Sequence, residues 1–422
     1  YLRAQKAALF GYPNYASYAL ADQMAKTPEQ AQAFMAHLTP ALAAEQQREK
    51  AELQTVIDQE SKKTAQPGFT LQPWDWAYYA DKLRKQKFDF DESQVKPYFE
   101  LNRVLQDGVF FAANTLYGLT FKRRTDIPTY NPDVMVYEAF DHDGTALGLL
   151  YFDYFQRDNK TGGAWMSNFV GQSKLLGTKP VIYNVGNFTK PAEGQPALIT
   201  FDDVTTMFHE FGHALHGLFA QQTYPLISGT NVARDFVEFP SQFNEHWALD
   251  KTVLAHYARH YKTNAPMPEH LVAQLKKAAT FNQGYKLGEV LSAAELDMQW
   301  HSLPPTAPKQ NVDTFEKAAL AKTGLDTQSI PPRYRSSYFL HIWANGYSAG
   351  YYAYLWAEML DDNAFAWFEK NGGLTRQNGQ RFRDMILSRG YTQDYGTMFK
   401  AFYGQDPEIE PMLAARGLTQ TP

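Results

Sequence analysis

FHEFGHALHG, residues 208–217, sets His209, Glu210 and His213 in an HExxH spacing. At about 3.6 residues per turn, positions four apart stack on one helical face, so the two imidazoles address one point. Glu210 lies about 100° around the helix, near enough to reach a water at that point without joining the ligand set. Asp202 or Asp203 can cap the helix start, and Met207, Phe208, Phe211, Leu215 and Leu218 give it an apolar side to bury. The spacing points to a zinc hydrolase helix with Glu210 as general base. An ordinary solvated His-Glu-His face is the competing reading, which the surrounding sequence must weigh.

A catalytic zinc takes three protein ligands and leaves a fourth position open. The chain has no cysteine, so the third ligand must be a carboxylate or a histidine. RDFVEFPSQFNEHW, residues 234–247, offers Glu238, flanked by Val237, Phe239 and Pro240. A carboxylate there is costly to bury unless it is paired or binds a metal. Without the histidines upstream, an exposed glutamate near a helix start would be the better reading. Glu245, two turns after Glu238, is a candidate to orient a ligand imidazole, and Asp235 is a second. His216 and His246 read as structural, because a fourth protein ligand would close the site.

With 422 residues, 44% hydrophobic and 15% aromatic, the chain can bury a large core in more than one lobe. A net charge of -5 gives no electrostatic case for nucleic acid or an anionic membrane. No apolar run reaches the roughly 18–20 residues of a membrane span. The start at Tyr1, already helical in character, leads us to expect a longer protein with a preceding N-terminal part. A cytoplasmic monomer is expected, with the periplasm as the other compartment open to a chain without disulfides.

Helical spacing dominates residues 1–118, as at 41–61 and 74–87, and marks a scaffold part. Residues 119–422 read as the catalytic part. There the period changes: VMVYEAF and TALGLLYFDYF form two strands joined at Asp143-Gly144, and residues 180–188 form a third. The expected fold is mainly α with a small β-sheet beside the active-site helix. Val181–Phe188 is the candidate edge for pairing with a substrate backbone, an interior strand being the alternative.

FLHIWANGYSAGYYAYLW, residues 339–356, is dense in hydrogen-bond donors. Tyr347, Tyr351 and Tyr354 fall at i, i+4 and i+7, one helical stripe, with His341 ahead of a turn at Gly346. Such groups can stabilise negative charge on a carbonyl oxygen, although an aromatic stripe is more often core than catalytic. Arg234, Arg333 and Arg335 are available to anchor a substrate carboxylate, and spacing does not choose among them.

HEFGHALHGLF, SGTNVARDFVEFPSQ and PPRYRSSYFLHIWANGYSAGYYAYLW, three motifs in order, resemble the thimet oligopeptidase family of zinc peptidases. The closing ILSRGYTQDYGTMFKAFYGQDPEIEPMLAARGL is similar to the end of its bacterial members that release dipeptides from free C-termini. The resemblance implies one Zn2+ per chain held by His209, His213 and Glu238, with Glu210 as base and proton shuttle. It further implies that His341, Tyr347 and Tyr354 face the scissile carbonyl. The implied fold is a zincin-like helical ellipsoid with a deep central channel, taking short unstructured peptides. Ala344 and Asn345 stand where those relatives carry glycines before the tyrosine, so the loop is expected to be stiffer here. An oligopeptidase that cuts internally, and a metal-stabilised peptide-binding protein without turnover, are the alternatives.

Overall fold

The computed structural model describes residues 1–89 and 91–419. Two compact units emerge, each built from non-contiguous stretches: Tyr1–Phe90 with Ala273–Met359 and Ile409–Pro422, and Asp91–Val272 with Leu360–Glu408. The change of period at Gly118 coincides with a switch from the helix Phe111–Tyr117 to a strand that begins at Thr120. Among the described residues no helix is long and apolar enough to cross a membrane.

The first unit is helical. Its longest element, Pro28–Thr64, starts where Thr27 accepts a hydrogen bond from Gln30 N and runs through Pro40, so it is longer than the 41–61 span read from polarity. Leu53, Val56 and Ile57 on this helix pack with Trp76, Tyr79 and Leu83 of Trp76–Phe88 and with Ile330. Glu49, almost fully buried, accepts hydrogen bonds from Gly284 N and Tyr285 N at 2.9 Å each. It thereby satisfies the first amides of the helix Gln283–His301, whose N-cap residue Asn282 makes no side-chain cap bond.

The second unit holds a five-stranded sheet in the order β1-β2-β3-β5-β4, with β1 Thr120–Arg123, β2 Met135–Phe140, β3 Ala146–Phe155, β4 Trp165–Val170 and β5 Val181–Phe188. β3 and β5 pair in parallel, and the other neighbours are antiparallel. Val181–Phe188 is therefore an interior strand, which corrects the expected edge. β4 lies outside it, pairing Trp165 with Val185 and Ser167 with Tyr183. Mid-strand Ser167 and Asn168 hid β4 from a reading by apolar alternation. Its Phe169 and Val170 are exposed.

The inner face of β3 and β5 packs on the helix Phe201–Leu218, where Phe152 stacks with Phe211 and Ile182 lies beneath Gly217. That helix is capped by Thr200 rather than by Asp202 or Asp203. The Thr200 hydroxyl accepts from Asp203 N at 3.1 Å, and the Asp203 carboxylate accepts from Thr200 N at 3.0 Å.

Candidate metal centre

The helix Phe201–Leu218 carries His209, Glu210 and His213 at its centre, and Glu238 reaches them from the junction of two short helices, Arg234–Val237 and Phe239–Glu245. The close approach depends on Gly212. A Cβ there would lie 2.6 Å from Ser241 Cα and 2.7 Å from Pro240 O. The contact is stitched by Asn244, whose amide nitrogen donates to Phe208 O at 2.7 Å. Fully buried Ser241 donates to Glu238 O at 2.8 Å, and its hydroxyl lies 3.3 Å from Glu238 Oε2.

Glu238 Oε2 stands 3.3 Å from His209 Nε2 and 3.2 Å from His213 Nε2. Two ligands of one tetrahedral zinc, with bonds of roughly 2.0–2.1 Å, are separated by ~3.3 Å. Both carboxylate–imidazole separations fit such an ion, and the three donor atoms lie within 4.8 Å of one another. The two imidazoles are nearly perpendicular, at 85°. The His209 side chain is 20% exposed and that of His213 12%, against 5% for Glu238, so the cluster is open on the imidazole side. His209 Nδ1 meets Glu245 Oε1 at 2.6 Å, a contact that holds the proton on Nδ1 and directs the Nε2 lone pair inward. This is the partner proposed for Glu245; Asp235 is fully buried.

The electrostatics match the geometry. Burial raises the Glu238 carboxyl, but the His213 and His209 imidazoles outweigh it and hold the group well below the usual carboxylate range. Burial lowers His209, and the Glu238 and Glu245 carboxylates reverse that effect and raise it well above its ordinary value. Glu210 is pushed up by burial against the opposing pull of His209 and His213. Its Oε2 is buried and has no hydrogen-bond partner among the described residues. An orphaned carboxylate oxygen beside an open metal cluster suits a base that waits for water.

His216 is fully buried, and burial pushes it down to about 3, so it is a neutral ring against Phe236. His246 Nε2 lies 2.5 Å from Asp361 Oδ1, with Asp362 close by. That separation is shorter than the ~3.3 Å between two ligands of one tetrahedral zinc, and it marks a hydrogen-bonded pair.

His341, Tyr347 and Tyr354 belong to the other unit and lie close together there. The Tyr347 and Tyr354 rings stack at 5.1 Å and 10°, with His341 5.9 Å from Tyr347 and 6.5 Å from Tyr354. The expected helical stripe is not formed: the helix begins only at Ala353, and Ala349 has φ 56°. The amides of Ala349 and Tyr351 bond to Asp297 instead of continuing a helix. Arg333 and Arg335 are engaged with Glu289 and Glu316, each at 2.6 Å. Ser241, Asn244 and Gly212 were missed in the sequence. Their only signal there is small or polar residues set within an apolar run.

Residues 1–418 match peptidase family M3. The chain is 56% identical over 417 residues to dipeptidyl carboxypeptidase of Escherichia coli (strain K12), covering 99% of this chain and 60% of that protein. To oligopeptidase A of the same organism it is 36% identical over 422 residues, covering 99% and 61%. It thus spans about 60% of the length of these curated relatives. An M32 carboxypeptidase from Deinococcus radiodurans R1 superposes with a TM-score of 0.56 at 15% identity, over 98% of this chain and 71% of that one, a likeness of fold alone. With the family matched across nearly its whole length, the chain belongs to peptidase family M3.

Proposed function

We propose that this chain carries the catalytic centre of a zinc peptidyl-dipeptidase, which hydrolyses short unstructured peptides and releases dipeptides from free C-termini. One observation carries the reading: three donor atoms clustered within 4.8 Å, with a Glu210 oxygen that has no hydrogen-bond partner among the described residues on the helix that bears the two histidines. His209, His213 and Glu238 are the zinc ligands, and Glu245 orients His209. Zinc held there supplies Lewis acidity toward the scissile carbonyl and the attacking water.

Glu210 takes the proton from the attacking water and passes it to the leaving amine nitrogen. Burial suits it to both steps, because a carboxyl raised above its ordinary value holds the proton longer before giving it up. His341, Tyr347 and Tyr354 donate to the carbonyl oxygen as it gains negative charge. β4, the outer strand of the sheet, offers an edge for an extended peptide to pair with. Replacing Tyr354 by Phe is expected to lower kcat by about 10²–10³ with zinc content unchanged. An unchanged rate would return Tyr354 to a packing role.

The cut is tested by mass spectrometry of products from one ten-residue peptide with a free and with an amidated C-terminus. Stepwise loss of two residues from the free peptide, abolished by amidation, is expected. Equal cleavage of both peptides would favour the internal cutting suggested by the similarity to oligopeptidase A.

A further inference from the structure

The segment that bears Tyr347 is held by a buried polar relay that takes no part in the chemistry above. Asp297, fully buried on the helix Gln283–His301, receives Ala349 N on Oδ1 and Tyr351 N on Oδ2, both at 2.9 Å. A carboxylate that accepts two amides in one turn fixes the path of the chain between them. It does so where the path is unfavourable: Ala349, fully buried, sits at φ 56°, a left-handed conformation that a residue with a Cβ resists.

The relay continues behind the carboxylate. His301 Nδ1 lies 2.7 Å from Asp297 Oδ1 and its Nε2 lies 2.9 Å from Arg3 Nη1, so a ring with its proton on Nδ1 satisfies both bonds. Arg3 also donates to Ile342 O at 2.8 Å and Trp343 O at 2.9 Å, on the other side of the loop. Between these two anchorages lie exposed Ala344, Asn345 and Gly346, then Tyr347, whose ring is buried against Tyr354. The loop is tied at both ends by one hydrogen-bonded chain, and the amides of Ala344, Asn345 and Tyr347 bond back to Leu340 O and His341 O.

We propose that Asp297, backed by His301 and Arg3, is a positioning residue: it imposes the left-handed turn at Ala349 and so sets where the Tyr347 hydroxyl stands. Its effect on rate rests on Tyr347 being a donor in the reaction; its effect on the loop does not.

The test is Asp297→Asn in the zinc-loaded protein, which keeps the shape but replaces one acceptor oxygen with an NH2 group facing a backbone amide. Hydrogen exchange at Ala349 and Tyr351 is expected to quicken at least tenfold. kcat should fall about 10- to 100-fold, with KM within threefold and zinc content unchanged. In the Asp297→Asn/Tyr347→Phe double variant the loss should not exceed that of the worse single variant, because both act on one group. Unchanged exchange at the two amides, or losses that multiply in the double variant, overturns the proposal. If Tyr347→Phe alone leaves kcat intact, the donor role of Tyr347 fails, and the exchange measurement still decides the clamp. Should Asp297→Asn not fold, Arg3→Gln removes the relay's far end and is expected to quicken exchange across residues 342–351; no change there also overturns it.

Discussion

At the scale of single residues, the metal centre depends on groups whose work is to hold others in place. Glu245 keeps His209 Nδ1 protonated across 2.6 Å, and that contact leaves Nε2 facing Glu238. Glu245→Ala should weaken zinc affinity by roughly 10- to 100-fold, the usual cost of losing a carboxylate behind a ligand histidine. A chelator-competition titration reads this directly. An unchanged affinity would make Glu245 a bystander. HExxH was legible in the sequence because a helix maps spacing onto a face without help from elsewhere. Glu238 was legible by the cost of burying it. Ser241 and Asn244 were not, since a short polar side chain reveals its partner only once two helices meet.

Between elements, the contact of Phe201–Leu218 with Phe239–Glu245 turns on one absent methyl group. At Gly212 an added Cβ would meet backbone atoms at 2.6 and 2.7 Å; at Gly217 it would meet the movable ends of Ile182, at 2.7 Å, and Met166, at 3.0 Å. Backbone cannot step aside as a side-chain tip can. Gly212→Ala should therefore cost about 1–3 kcal/mol and also lower zinc affinity, whereas Gly217→Ala should cost less and spare the metal. Thermal unfolding with metal analysis of both variants separates them. The sheet repeats the lesson of scale. β2 and β3 showed in their alternation, whereas pairing order is set by contacts between distant segments, so the interior place of β5 was not readable from its own residues.

A second contact between elements carries a pH signature. Asp141, in the turn after β2, forms a two-pronged ion pair with Arg383, at 2.9 and 2.5 Å. The Arg383 guanidinium, opposed by burial, holds the Asp141 carboxyl well below the usual range. A depressed carboxyl contributes stability that is full above its unfolded value of about 3.9 and is lost as pH falls through its folded value. Asp141→Asn should cost about 1–3 kcal/mol at neutral pH and flatten the decline in stability below pH ~4. An acid limb identical to that of the unaltered protein would mean that the pair contributes nothing.

Over the whole molecule, His209, Glu210, His213 and Glu238 belong to one compact unit and His341, Tyr347 and Tyr354 to the other. The order of motifs along the chain announced the family, and its match over residues 1–418 bears that out. The mainly helical fold with one small sheet followed from the change of period. The turn around Ala349 did not, because a carboxylate some fifty residues earlier overrides the local helical spacing of the tyrosines. Metal removal is a test at this scale. Zinc at about 1,000 times its Kd would stabilise the folded protein by about 4 kcal/mol, so chelation should lower Tm and added zinc should restore it. A Tm indifferent to chelation would argue against a resident ion.

The central claim is that His209, His213 and Glu238 hold one zinc while Glu210 moves the proton. Its most direct test is Glu210→Gln, assayed together for zinc content and for dipeptide release from a free-ended peptide. The expected result is one zinc per chain with turnover lost. Substantial remaining turnover, or zinc lost along with activity, would contradict the claim.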